Sequence, residues 1–257
     1  MSWFGRWKRE RILRRHRIPQ PVFDEAIAGL PLLAGLTGDE RAMLHDQASL
    51  LLAGKSFSAA GGAAVEPPVQ LRIALQACLL TLHLDESSYR GWSEIILYPD
   101  EFLRPHEEID EAGVVHLSRD ILAGESWHGG PLVLSIADVA ASGQLEGYNV
   151  VLHEFAHKLD MLNGDANGFP PLHQGMKAAD WARDFSAAYE DLCARVDAGE
   201  DTIVDPYAST NPAEFFAVAT EMFFEVPDLL TDTYPAVYTQ MQQFYRQDPL
   251  ARLGRPA

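Results

Sequence analysis

The sequence predicts an α+β protein in which helices flank a small mixed sheet. Two observations support this fold class. Apolar residues recur at helical spacing before about residue 85 and again after about residue 138. Between these regions lie three short runs rich in Val, Ile, Leu and Tyr, each bounded by turn-forming residues: SEIILYP, GVVHLS and PLVLSI. Because the strands are grouped together, the order disfavours repeated β-α units.

The N-terminal region is expected to contain a basic arm followed by helices. The first 17 residues hold seven Lys or Arg against one acid, and we interpret residues 1–18 as an arm that is solvated or docked on the acidic body. Further along, a helix is predicted to begin with Thr37 or Asp39 as its cap. A loop rich in Gly and Pro follows, and LRIALQACLLTLHL then predicts a buried helix.

The composition is that of a folded protein with an acidic body. Of 257 residues, 47% are hydrophobic and 22% are charged, and the formal net charge is −17. Such a chain is a poor direct binder of nucleic acid, because phosphates repel it. No apolar run approaches the roughly 18–20 residues that span a bilayer, so no membrane span is expected. Cys78 and Cys193 are expected to be buried thiols, as is usual in a cytoplasmic protein.

The segment VVLHEFAHKLDMLNGDANG carries the motif that points to chemistry. His153 and His157 are four residues apart, so on a helix they share one face and can bind one ion together. Glu154 is turned about 100° away, where it can accept a proton from a metal-bound water. The neighbouring residues are apolar, and burying polar groups among them is unfavourable unless something satisfies them. The alternative is an ordinary amphipathic helix with two partly exposed histidines.

Two further features of this helix follow from its sequence. Asp160 lies too far along the helix to share an ion with His153, but it is placed to orient His157. Asn163-Gly164 is expected to end the helix, with Gly164 as a left-handed cap.

A catalytic zinc site needs a third protein ligand and one open position. The residues alone leave several candidates: His173, Asp160, Asp165, Glu190, Glu214, Glu221 and Glu225. Asn211-Pro212-Ala213-Glu214 is typical of a helix start with Asn211 as its N-cap. Glu214 could bind the ion or close a capping box onto Asn211. Glu221 and Glu225 lie on the same helical face as Glu214. The spacing of the residues therefore leaves the choice between Glu214 and Glu221 open at this point.

The motif and the later segment DPYASTNPAEFFAVATEMFFE together resemble the Mlc titration factor A family, zinc metallopeptidases related to the catalytic domain of anthrax lethal factor. The resemblance continues in order through IALQACLLTLHL, ILYP and AGESWHGGPLVLS, and covers about residues 20–245. It implies a zincin-like catalytic core over residues 86–250, with residues 19–85 as a helical part packed on it in one compact unit. It also implies the functional residues: His153, His157 and Glu214 as ligands of one zinc ion, Glu154 as general base, Tyr207 over the metal and Glu221 as an outer partner.

The same resemblance implies a cytoplasmic zinc peptidase that hydrolyses short peptides, including aminopeptidase-type action. It further implies binding and sequestration of a sugar-responsive, DNA-binding transcriptional repressor of the Mlc type. The alternative is mainly a repressor-binding regulatory protein whose peptidase site is secondary.

Four further features bear on substrate access and on the ligand set. GGPLVLSI is a candidate edge strand for an extended peptide, and NGDANGFPPLHQGM is long enough to lie across the cleft. His116 and His128 are expected at the surface or the rim of the cleft rather than among the ligands.

Overall fold

The computed structural model describes residues 3–62, 64–85, 88–99, 107–109, 115–117 and 130–254. Its helices in chain order are α1 (Trp3–His16), α2 (Gln20–Ala28), α3 (Gly38–Gly54), α4 (Pro67–Leu80), α5 (Ile136–Ala141), α6 (Val150–Asp160), α7 (Ala178–Asp197), α8 (Pro212–Glu225), α9 (Pro227–Thr233), α10 (Pro235–Tyr245) and α11 (Pro249–Leu253). Its strands are β1 (Ser56–Ala59), β2 (Glu94–Tyr98), β3 (Glu107–Ile109), β4 (Val115–Leu117) and β5 (Leu132–Ser135). Strands β2 to β5 lie between two helical regions, as predicted, but β1 precedes α4, so the predicted order holds only from α4 onward. Among the described helices, none combines the length and apolar character that crossing a membrane requires.

The sheet is parallel, with the strand order β1-β2-β5. β3 and β4 pair antiparallel in a separate hairpin. The prediction of one mixed sheet without a β-α-β unit is therefore wrong, because β1, α4 and β2 form such a unit. Strand β1 was not predicted, because Ser-Phe-Ser-Ala has only one large apolar side chain and therefore shows no alternating pattern. It also begins shortly after the end of α3.

The basic N-terminal segment forms helix α1, which packs beside α3. Asp46 of α3 accepts from both Arg9 and Arg17, at 3.2 and 3.0 Å, so part of the positive charge is paired with the acidic body. Thr37 caps α3 in a complete capping box with Glu40, which confirms the predicted start of this helix.

Helices α6 and α8 pack against each other in the core. Every residue of α6 is buried except Glu154, which is partly exposed. The α6 helix ends at Asp160 and continues as a 3-10 turn, Met161–Asn163. Gly164 has φ 144° and ψ −138°, so its predicted role as a left-handed helical cap is wrong.

The loop after α6 braces the first turn of α8. The Asp160 carboxylate accepts hydrogen bonds from three consecutive backbone N–H groups, those of residues 167–169, and Trp181 donates its indole N–H to the carbonyl of Gly168. Gly168 has φ +76°, and a Cβ there would lie 2.4 Å from the carbonyl oxygen of Pro212, the first residue of α8. This close approach requires glycine.

Gly168→Ala should therefore destabilise the fold more than a glycine change without that close approach. Gly175→Ala is the matched control, because Gly175 also has a positive φ (+104°) but no atom within 4 Å of its Cβ position. We expect the control to lower the free energy of unfolding by about 1–2 kcal/mol. Gly168→Ala should add about 1–3 kcal/mol of steric overlap. Thermal unfolding checks this, and equal losses of melting temperature in the two variants would contradict it.

Candidate metal centre

Three side chains from two buried helices meet at one point. His153 and His157 lie one turn apart on α6, and Glu214 lies in the first turn of α8. The Nε2 atoms of the two histidines are 3.3 Å apart, and the Oε2 atom of Glu214 is 3.0 Å from Nε2 of His153 and 3.4 Å from Nε2 of His157. These three residues form a group that can hold a metal ion.

The spacing of the three atoms fits a tetrahedral zinc ion. Zinc bonds of about 2.0–2.2 Å with tetrahedral angles place ligand atoms about 3.3–3.6 Å apart. The observed separations of 3.0, 3.3 and 3.4 Å come close to this range before any adjustment. Two imidazoles and one carboxylate leave a fourth tetrahedral position open, as catalytic zinc sites require.

Glu221 holds the outer nitrogen of His153. Its Oε1 atom lies 2.8 Å from Nδ1 of His153, and its Oε2 atom accepts from the backbone N–H of Asn149. A carboxylate on Nδ1 fixes the ring orientation and leaves Nε2 free to face an ion. The geometry thus separates Glu214, which contacts the Nε2 atoms of both histidines, from Glu221, which contacts Nδ1 on the other side of the His153 ring.

The third carboxylate on this face of α8 stabilises the chain that leads into α6. Glu225 accepts from the backbone N–H groups of Gly143 and Leu145 and from the side-chain amide of Asn149. The same amide also donates to Gln76, while Asn149 caps α6 by accepting from the N–H of Leu152. Each carboxylate on this apolar helix therefore has polar partners, as burial demands.

The centre favours positive charge. Burial alone would lower the pKa of His153, but hydrogen bonds with Glu214 and Glu221 raise it to about 10. Burial would raise the pKa of Glu214, yet His153 and His157 hold it well below its usual range. Burial outweighs the same kind of contact at Glu221, so its pKa is raised. A carboxylate and two imidazoles that stabilise one another in this way form a donor set suited to a cation.

His157 is held differently from His153. Among the described residues, the buried Nδ1 atom of His157 has no hydrogen-bond partner. The prediction that Asp160 orients His157 is wrong, because the Asp160 carboxylate instead binds the backbone of residues 167–169. Asp160 and His157 interact only through their charges.

Glu154 and Tyr207 both lie beside the three candidate ligands. Glu154 is the partly exposed residue of α6, and its charge acts on both His153 and Lys158. Tyr207 sits in a 3-10 turn before α8, with its ring centroid 6.3 Å from that of His153. The roles predicted for these two residues remain predictions.

The other candidate ligands lie elsewhere. His173 bonds the carbonyl oxygen of Phe244 at 2.7 Å, and Asp165 and Glu190 are exposed. The side chains of His116 and His128 lie outside the described residues. The side-chain oxygen of Asn211 accepts a hydrogen bond from the backbone N–H of Glu214 and so caps α8, which confirms the predicted start of this helix.

Two buried residues next to the centre were not predicted from the sequence. Asn149 is the N-cap of α6, and its position immediately before the apolar run is the ordinary sign of such a cap. Lys158, the residue after His157, is also buried. Its residue type does not predict this burial, because lysine side chains are mostly exposed.

Comparison with known proteins confirms the resemblance expected from the sequence. The profile of the family described as glucose-regulated metallo-peptidase M90 matches residues 4–246. Mlc titration factor A from Yersinia pestis (strain Pestoides F) is 41% identical over 229 residues, covering 88% of this chain and 84% of the relative. Mlc titration factor A from Yersinia pseudotuberculosis (serotype O:1b, strain IP 31758) has the same identity and coverage.

The geometry predicts different effects for the two competing carboxylates. Glu221→Gln should weaken zinc binding about 10–100-fold, because it loosens the orientation of His153. Glu214→Gln should weaken binding further, since it replaces a charged ligand. Zinc content measured after dialysis against a graded chelator series checks this order. Glu190→Gln, an exposed change on α7, is the control. Full zinc occupancy in Glu214→Gln together with loss in Glu221→Gln would overturn the assignment.

Proposed function

Since this chain belongs to the glucose-regulated metallopeptidase M90 family, we propose that it is a zinc-dependent peptidase acting on short peptides. The observation that carries the proposal is the group of three ligand atoms, which lie 3.0–3.4 Å apart. Beside them, the partly exposed Glu154 directly follows His153 on α6. His153, His157 and Glu214 would hold one zinc ion, and the remaining position would face solvent and substrate.

The residues around the centre have separate roles in peptide hydrolysis. When bound, zinc supplies a Lewis acid that polarises a carbonyl and makes a water molecule more acidic. Glu154 would accept the proton of the attacking water and deliver it to the leaving amine. Tyr207 would donate its hydroxyl hydrogen to the oxyanion that develops at the scissile carbonyl. Glu221 keeps the ring of His153 in place throughout.

Strand β5 offers a place for the substrate backbone. It ends the strand order of the described sheet and packs against α6. An extended peptide can add to such an edge by backbone hydrogen bonds. Glu154 and Asp205 add negative charge near the centre, since both act electrostatically on residues of the ligand network. This charge would attract a protonated α-amino group, in line with aminopeptidase action.

A second function follows from the relatives, which are named Mlc titration factor A. We propose that this chain also binds a DNA-binding repressor of the Mlc type and removes it from its operators. The formal net charge of −17 favours a partner with a basic surface. We place this activity in the cytoplasm, where such a repressor works and where free thiols are stable. Both cysteines are free thiols, but only Cys78 is buried as expected, whereas Cys193 is partly exposed.

Glu154→Gln tests the peptidase assignment. The variant keeps the three ligands, so it should retain one zinc ion per chain. Hydrolysis of short peptides should fall about 10²–10⁴-fold, because the proton acceptor is lost. Zinc content and rates are measured together, with Glu190→Gln as the control. A Glu154→Gln variant as active as the parent would refute the assigned base.

Blocking the substrate separates exopeptidase from endopeptidase action. If a protonated amine is recognised, peptides with a free N-terminus should be cleaved and their N-acetylated counterparts should not. Equal rates on the two peptide sets would contradict the aminopeptidase proposal while leaving the peptidase proposal intact.

Repressor capture by the inactive variant separates the two functions. If binding needs only a surface, Glu154→Gln should retain the repressor as well as the parent in a pull-down with purified proteins. Loss of capture in the variant would show that the peptidase chemistry is required, and failure of the parent to capture the repressor would refute this second function.

A further inference from the structure

Lys158 is a buried cation that the proposed chemistry does not use. It lies on α6 immediately after His157, and the residue is only 5% exposed. Burying an ammonium group is unfavourable unless nearby groups stabilise it. What Lys158 contacts should therefore reveal why it is there.

Its contacts join the motif helix to the start of strand β5. The ammonium donates to the carbonyl oxygen of Gly130 at 3.1 Å, and Leu132 begins β5 two residues later. The Nζ atom also lies 5.5 Å from the ring centroid of Trp92, and this indole packs edge-on against Phe155 of α6, at 5.7 Å between centroids. Lys158 thus ties α6 to the backbone that leads into β5.

Glu154 lies one turn before Lys158 on the same helix. Four residues correspond to about 6 Å along a helix axis. The helix therefore carries both the proposed proton acceptor and the contact that holds the start of β5. Any peptide paired with β5 would have its position relative to Glu154 fixed by this contact.

We infer that Lys158 is a positioning residue for extended substrates: it holds the start of β5 at a fixed distance from Glu154, so that a peptide paired with this strand presents its scissile bond correctly. This inference rests on the proposed peptidase function. A positioning role for Lys158 can be distinguished from a role as counter-charge to Glu154. Loss of a counter-charge would affect the hydrolysis of substrates of every length. Displacement of β5 would affect only substrates long enough to pair with this strand.

Lys55 supplies a matched control. Its ammonium lies 3.5 Å from the centroid of the same Trp92 ring and donates to the carbonyl oxygens of Tyr89 and Trp92, both at 2.6 Å. It is a partly buried lysine near the same indole, but it belongs to neither α6 nor the start of β5. Lys55→Met should therefore leave the dependence on substrate length unchanged.

The experiment compares Lys158→Met, Lys158→Arg and Lys55→Met on an aminoacyl p-nitroanilide and on a hexapeptide. Removing a charged hydrogen bond should raise the KM of Lys158→Met for the hexapeptide about tenfold. Its KM for the p-nitroanilide, which is too short to pair with β5, should rise far less than its KM for the hexapeptide. Lys158→Arg keeps the charge and should restore part of the hexapeptide affinity. Zinc content and melting temperature confirm that each variant is folded and loaded.

Binding without turnover gives a second measurement. On the Glu154→Gln background, calorimetry with the same hexapeptide should show about tenfold weaker binding when Lys158→Met is added. If Lys158→Met does not fold, the test uses Lys158→Arg instead, and the same ratio of the KM for the hexapeptide to the KM for the p-nitroanilide is compared with that of the parent. Equal effects on both substrates, or a loss of kcat alone, would overturn the positioning role. A parent that neither cleaves nor binds any peptide would instead refute the proposed function.

Discussion

The packing of α6 against α8 is the constraint on which the centre depends. It brings His153, His157 and Glu214 together inside a core where unpaired polar groups are strongly unfavourable. The fold answers this with a layer of partners behind the ligands: Glu221 on His153, and Glu225 on the chain before α6. Without this layer, the apolar helix α8 could not carry carboxylates at these positions.

The chain around this helix pair is arranged to keep it in register. The loop that hydrogen-bonds to Asp160 packs closely against the first residue of α8, and Gly168 allows this close approach because it has no side chain. At the other end of α6, Asn149 is shared between capping the helix and binding the α8 carboxylates. The position of Glu214 relative to the histidines is therefore determined from both sides, which is what a preorganised metal site needs.

Much of this centre could be predicted from the sequence, because its cues are local. Helical spacing identified the histidine pair, and Asn211-Pro212 marked the start of α8. Glu214 and Glu221 could not be separated by spacing, since both lie on one face and only the packing of α8 on α6 distinguishes them. β1 and the parallel sheet were missed because a four-residue strand has little pattern, and Asp160 was misassigned because backbone N–H groups compete for its carboxylate.

X-ray absorption at the zinc edge of the purified protein would identify the ligands of the ion. We expect one zinc ion per chain, bound by two imidazoles and a carboxylate at about 2.0–2.2 Å, with a further light ligand in the open position. A spectrum with sulfur ligands, or with oxygen ligands and no imidazole, would contradict it.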